Sequence, residues 1–260
     1  MLGITLRRHL CLFLTVIAFW TFQCAAEAEA ETPVGSNVDS RVLVGVSASA
    51  DTVQTFLPEG WSSVPFPSGP LGGANLLLVF IDSLVQYDAE GKPLAPASRR
   101  AVALVSLGKQ TTDEEVRLFV LRIYTTTPEV DPYKVNLAAE IPRKSSVEGP
   151  ANGGRARSDT WEVEVSSGGT LSFQLDYKTG TPSWTPGEAF PHLASVPDFS
   201  RIYRFRQMVD LVASTSLGKP SSGEFSLKSS VPELGSLLDG SEEIVAVMDV
   251  PVYVREIWLP

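Results

Sequence analysis

The sequence predicts a mainly β (α+β) domain carried behind a secretory signal. Three observations predict it. Many short apolar segments recur along the chain with turn residues between them. One pair of these, Thr160 to Ser166 and Thr170 to Tyr177, alternates apolar and polar residues about Gly168-Gly169, which is hairpin chemistry. Long amphipathic helices are scarce, which argues against βαβ architecture and for a barrel or a sandwich.

The N-terminus has a pattern of its own. Met1 to Leu10 carries Arg7 and Arg8 and no acid, Cys11 to Phe22 is apolar apart from Thr15 and Thr21, and Gln23 to Ala30 turns small and polar. A basic start, a short apolar core and a small-residue exit form a secretory signal peptide. The apolar run is shorter than the roughly 20 residues a membrane span needs. The signal is assigned to residues 1–28, a flexible leader to 29–37 and the folded domain to 38–260. Protein recovered from the periplasm or culture fluid is expected to begin between Glu27 and Glu31, and N-terminal sequencing checks this; an intact Met1 would refute cleavage. The implied location is secreted or periplasmic, with no integral span after cleavage.

Both cysteines, Cys11 and Cys24, precede the cut, so the domain must be held by an apolar core and not by disulfides. The formal charge of −9 and the lack of a basic cluster argue against a nucleic-acid partner. Arg99-Arg100 and Arg155 to Arg157 read as short solvated pairs.

Strands are expected at Arg41 to Val46, Asn75 to Tyr87, Arg100 to Leu107 and Val116 to Thr126. Asp51 to Leu57 reads as a short helix capped by Asp51 and stopped by Pro58. Pro58 to Gly73 reads as a long loop, and Glu90-Gly91 and Gly108 to Glu115 read as turns. Tyr133 to Ala139 is expected to be a short helix and Thr181 to Pro191 a loop holding Trp184 near the mouth of the fold. Phe173 is expected in the core. Ile202 to Thr215, Gly223 to Ser229 and Glu243 to Trp258 complete the strands.

Several chemistries are excluded. His9 lies in the signal and His192 is the other histidine, so a multi-histidine zinc site has no ligands. His192 reads as an ordinary hydrogen-bonding histidine, because no Gly-x-Ser-x-Gly elbow precedes it. No P-loop, dinucleotide fingerprint or calcium loop is present, and neither cofactor nor metal is expected.

One constellation remains. Ile141-Pro142-Arg143-Lys144 sets two cations side by side after a proline. Like charge pushes an adjacent amine towards its neutral, nucleophilic form, and such an amine can form a Schiff base with a ketone. Here the sequence resembles the acetoacetate decarboxylase family, whose namesake enzyme is itself an established case of such activation. The family motif is an aromatic residue, proline and two lysines, of which the first forms the imine and the second lowers its pKa. The order of other segments is similar too: Arg41 to Glu59, Asn75 to Tyr87, Leu175-Asp176-Tyr177-Lys178, Arg201 to Leu227 and the closing Glu242 to Pro260.

The resemblance implies a cone-shaped antiparallel β-barrel with a few short helices, and a homo-oligomer. It also implies a lysine Schiff-base lyase acting on a keto acid. Arg143 stands at the imine-forming position, where a guanidinium cannot serve as nucleophile. Lys144 matches the partner lysine and is the candidate amine, with Arg143 beside it. Arg41 is the candidate for the family's first-strand arginine and Asp82 for its second-strand acid, both as substrate-binding groups. The family's arginine at the start of the lysine segment falls on Asn136. Beside the lyase reading stand a barrel that binds a small carboxylate or apolar molecule without chemistry, and a purely structural domain.

Overall fold

The computed structural model describes residues 30–150 and 152–260, and Glu31–Pro260 forms one compact unit. The proposed signal peptide lies outside the described residues. The strands, in chain order, are β1 (Thr32–Ser47), β2 (Trp61–Val64), β3 (Leu76–Asp88), β4 (Arg99–Gln110), β5 (Val116–Thr125), β6 (Asn136–Glu140), β7 (Arg143–Glu148) and β8 (Ala156–Val165). They continue with β9 (Thr170–Lys178), β10 (Ser183–Ala189), β11 (Pro191–Leu193), β12 (Val196–Ser200), β13 (Ile202–Ser214), β14 (Gly223–Ser229) and β15 (Glu243–Leu259). One helix, α1 (Ala50–Gln54), and a 3₁₀ turn at Pro232–Leu234 are the helical pieces among the described residues.

All the strands belong to one sheet with the main order β10-β13-β15-β1-β3-β4-β5-β6-β8-β9-β14. The sheet is mixed and not wholly antiparallel, since β5 pairs in parallel with β6 and β11. The main ladder does not join its two ends. They come close nonetheless, where Ser222 N–H donates to the Val212 carbonyl at 3.1 Å.

Both faces of the sheet are covered over part of their area. The larger core holds Val42, Val44, Phe80, Leu104, Tyr124, Trp161, Phe173 and Val247, contributed by strands from one end of the ladder to the other. It is the inner face, plugged by Val53 and Leu57 from the helical segment and by Leu234 and Leu237. Phe173 is buried as expected and stacks on Phe80 with centroids 5.0 Å apart. The smaller core lies on the opposite, outer face around Leu77, Val79, Val105, Val120 and Tyr133, with Phe66, Phe199 and Tyr203 packed on it. These two cores follow from strands whose alternate residues are apolar on both sides.

Several expectations are corrected. The leader does not stay free: β1 starts at Thr32 and pairs on both sides, with β15 from Thr32↔Leu259 and with β3 from Gly35↔Asp88. Pairing on two sides satisfies its backbone despite the Pro and Gly content. Gly35 permits the close approach, because a Cβ there would sit 2.2 Å from the Tyr87 carbonyl oxygen. The helix expected at Tyr133 to Ala139 is instead a loop followed by β6, whose parallel pairing with β5 overrides the helix-forming Leu-Ala-Ala run. The loop expected at Thr181 to Pro191 contains β10, an edge strand, where proline is tolerated because one side needs no ladder bond. Trp184 lies on that edge, 59% exposed. The Pro58 to Gly73 loop also contains β2, and α1 is preceded by Ser49 with no side-chain cap, not by Asp51. No helix among the described residues is long and apolar enough to cross a membrane.

Candidate functional site

The Ile141-Pro142-Arg143-Lys144 segment opens β7, and strand alternation separates its two cations. Arg143 pairs across the ladder with Trp161 and points into the inner face, its side chain 6% exposed. Lys144 points the other way and is exposed. The adjacency that suggested a tuned amine is thus an adjacency along the chain and not in space. Every lysine of the chain lies among the described residues, and none is buried; the least exposed, Lys109, is paired with Glu114.

Arg143 is fully engaged. Its Nε donates to Asp159 Oδ1 at 2.9 Å and Nη2 to Asp159 Oδ2 at 2.5 Å, a bidentate clamp. Nη1 donates to Asp82 Oδ2 at 3.1 Å, and Nη2 also reaches Ser40 Oγ at 3.1 Å. The guanidinium lies over the Trp161 ring, 4.6 Å from its centroid. Burial works against the charge, but Asp159 and then Asp82 outweigh it and raise the Arg143 pKa.

The pairing continues in both directions. Arg100 Nε donates to Asp82 Oδ1 at 3.2 Å and Nη1 to the Ile141 carbonyl at 3.1 Å. Arg157 contacts Asp159 at 3.4 Å and Asp249 at 2.6 Å. Tyr177 O–H lies 2.7 Å from Asp249 Oδ2 and 3.3 Å from Asp210 Oδ2, and the latter oxygen accepts from Gly180 N–H at 2.8 Å. Asp210 and Asp249 face each other on neighbouring strands. Along this chain the carboxylates of Asp82, Asp159, Asp249 and Asp210 outnumber the guanidiniums of Arg100, Arg143 and Arg157 by one. Asp249 answers that excess: burial raises its pKa, against the pull of Arg157. Burial, then Asp249, also raises the Tyr177 phenol, which stays protonated.

Asp82 thus meets Arg143 on the inner face as an ion-pair partner. Arg41 does not. Next to Ser40 on β1, it points to the outer face, where it binds Asp39 and lies 3.5 Å over the Tyr253 ring. Asn136 at the start of β6 donates through Nδ2 to the Val130 carbonyl and is no part of the inner network. Sequence reasoning missed Asp159, read Arg157 as solvated although its side chain is 9% exposed and paired, and missed Asp249. A signal for the first two is present: Arg157 and Asp159 alternate with Trp161 and Val163 on a hairpin strand, so charged residues occupy inward positions. His192 Nδ1 is hydrogen-bonded with the Pro197 carbonyl, 2.8 Å away, and burial lowers its pKa.

No protein-family model and no curated protein matches the chain. Solved structures do. The enduracididine biosynthesis enzyme MppR, complexed with pyruvate, superposes with a TM-score of 0.55 at 12% identity, covering 89% of this chain and 90% of that one. An acetoacetate decarboxylase-like enzyme from Sphingomonas wittichii RW1 gives 0.52 at 11% identity, covering 88% and 92%. This chain has the acetoacetate decarboxylase-like fold. Within that fold it places an arginine salt-bridge network on the inner face of the sheet, at the segment whose motif suggested an imine-forming amine.

Proposed function

We propose that this chain is an exported domain that uses the acetoacetate decarboxylase-like fold for small-molecule binding and not for imine chemistry. The observation that carries the reading is the state of Arg143. It stands where the family resemblance places the nucleophilic lysine, it cannot lose its proton to become one, and its donors are taken by Asp82, Asp159 and Ser40. Lys144 offers no substitute, because it is exposed and points away from the inner face where Arg143 lies. Export is supported by Arg7, Arg8 and the apolar run Cys11 to Phe22. A keto acid or other small carboxylate is the ligand class that the fold suggests, and this chain would hold it by charge and hydrogen bonds alone.

The test is borohydride trapping. Protein incubated with pyruvate and then reduced should give peptides of unchanged mass throughout. A reduced pyruvate adduct on any lysine, Lys144 above all, would overturn the reading and restore a Schiff-base lyase.

A further inference from the structure

The outer face carries a second group of arginines with a different balance. Arg41, Arg99, Arg201 and Arg255 converge beside Tyr133, Tyr203 and Tyr253, and the carboxylate seated among them is Asp39. Asp39 is 1% exposed and already committed: Oδ2 accepts from Arg41, and Oδ1 accepts from Ser83 Oγ at 2.6 Å. Arg255 donates through Nε to Asn37 Oδ1 at 2.8 Å and lies 4.1 Å over the Tyr203 ring. Arg99 makes no side-chain hydrogen bond or ion pair among the described residues. Burial, then the like charge of Arg255, lowers its pKa.

The atoms left without partners agree in kind. Asn37 is 2% exposed and its Nδ2 has no acceptor among the described residues. Arg201 Nε is buried and has none either. Both are donors, and so is the idle Arg99 guanidinium. A buried donor left unpaired is costly, and a group of them beside uncompensated cations lacks one kind of partner: an acceptor with negative charge. Arg99, Arg201 and Arg255 are each only partly buried, so solvent can deliver it.

We infer that the outer face of β1, β4 and β15, with Arg201 just ahead of β13, holds a site for a small oxyanion, a carboxylate or phosphate group received by the part-exposed guanidiniums of Arg99, Arg201 and Arg255. Such a site is independent of imine chemistry, since it lies on the opposite face of the sheet. It deepens the binding reading and rests on it, giving the carboxylate ligand a place that the saturated inner network does not offer.

The experiment is calorimetric titration of the exported domain in a zwitterionic buffer, with inorganic phosphate in one arm and pyruvate in another, each against sodium chloride at matched ionic strength. Saturable binding of either anion is expected, and the arm that responds names the class. The variants Arg99→Gln and Arg201→Gln, neither of which removes a side-chain hydrogen bond or ion pair among the described residues, should each weaken it about tenfold or more, the scale of a charge-assisted hydrogen bond. Arg206→Gln, on β13 beside Trp184 and Pro186, should leave it unchanged. Circular dichroism checks that each variant is folded. No saturable heat with either anion, an equal response to chloride, or binding unaffected by Arg99→Gln and Arg201→Gln together would each overturn the site. Borohydride trapping is blind to all these outcomes, so the two readings fail separately.

Discussion

The two faces of one sheet solve the problem of buried arginine in opposite ways. On the inner face Arg143 and Arg157 alternate with Asp82, Asp159 and Asp249, and each guanidinium meets a carboxylate. On the outer face Arg41 alone in this cluster has such a partner among the described residues, while Arg255 rests on an amide and a tyrosine ring. A buried ion pair contributes little net stability, because desolvating both charges offsets their attraction, yet breaking it is severe. The inner network therefore behaves as structure, locked by mutual need. The outer cluster keeps donors in reserve, which is how a binding surface differs from a scaffold.

The largest expected effect breaks the inner side of this comparison. Asp159→Ala removes the carboxylate shared by Arg143 and Arg157 and should cost about 3–5 kcal/mol, read from urea unfolding. Urea is the suitable denaturant because guanidinium salts would screen both clusters. Arg201→Gln under the same conditions should move stability by no more than about 0.5 kcal/mol, as expected where no partner is lost. Equal losses in the two variants would erase the distinction between the faces.

A smaller effect sharpens it through pH. Burial raises the Asp39 pKa, but Arg41, Arg255 and Ser83 outweigh burial and lower it. Its contribution is present above the unfolded-state value and is lost as pH falls through the lower folded value. Asp249 has the reverse sign, because burial raises its pKa. Its contribution is full below the unfolded-state value and is lost as pH rises through the folded one. Stability measured against pH should thus lose its acid limb in part in Asp39→Asn. In Asp249→Asn the decline as pH rises above the ordinary carboxylate value should flatten. Both variants tracking the wild-type profile would refute the assignment of these carboxylates.

Much of the fold is legible in the sequence where pattern and turn chemistry agree locally. Gly223 to Ser229 is the strand the alternation marks, and the Gly168-Gly169 hairpin forms as read. The strands that escape such a reading depend on partners far along the chain. Asn136–Glu140 is five residues of helix-compatible composition held by Ile123 to Thr125, and Ser183–Ala189 contains Pro186 and Gly187 yet pairs with β13. Gly187 allows this, since a Cβ there would strike the Phe205 ring at 2.4 Å. In the site, Arg143 stands out through the motif, while Asp82 is marked only as the nearest carboxylate on the second strand of the resemblance. The separation of Lys144 from Arg143 follows once their segment is a strand, which the proline before it disguises. Arg41 lies one position of alternation away from the inner network, since Ser40 and not Arg41 reaches Arg143.

The pairing of Thr32 with Leu259 has a consequence for the order of assembly. During synthesis β1 can lean on β3 early, but its other edge waits until β15 has been made. Until then the run from Asn37 to Val46 presents unpaired backbone along one side, a template for another chain. Contacts this distant in sequence also make folding slow. A chain kept unfolded until β15 has been made escapes that hazard, and removing β15 would leave β1 and β13 each with an open edge.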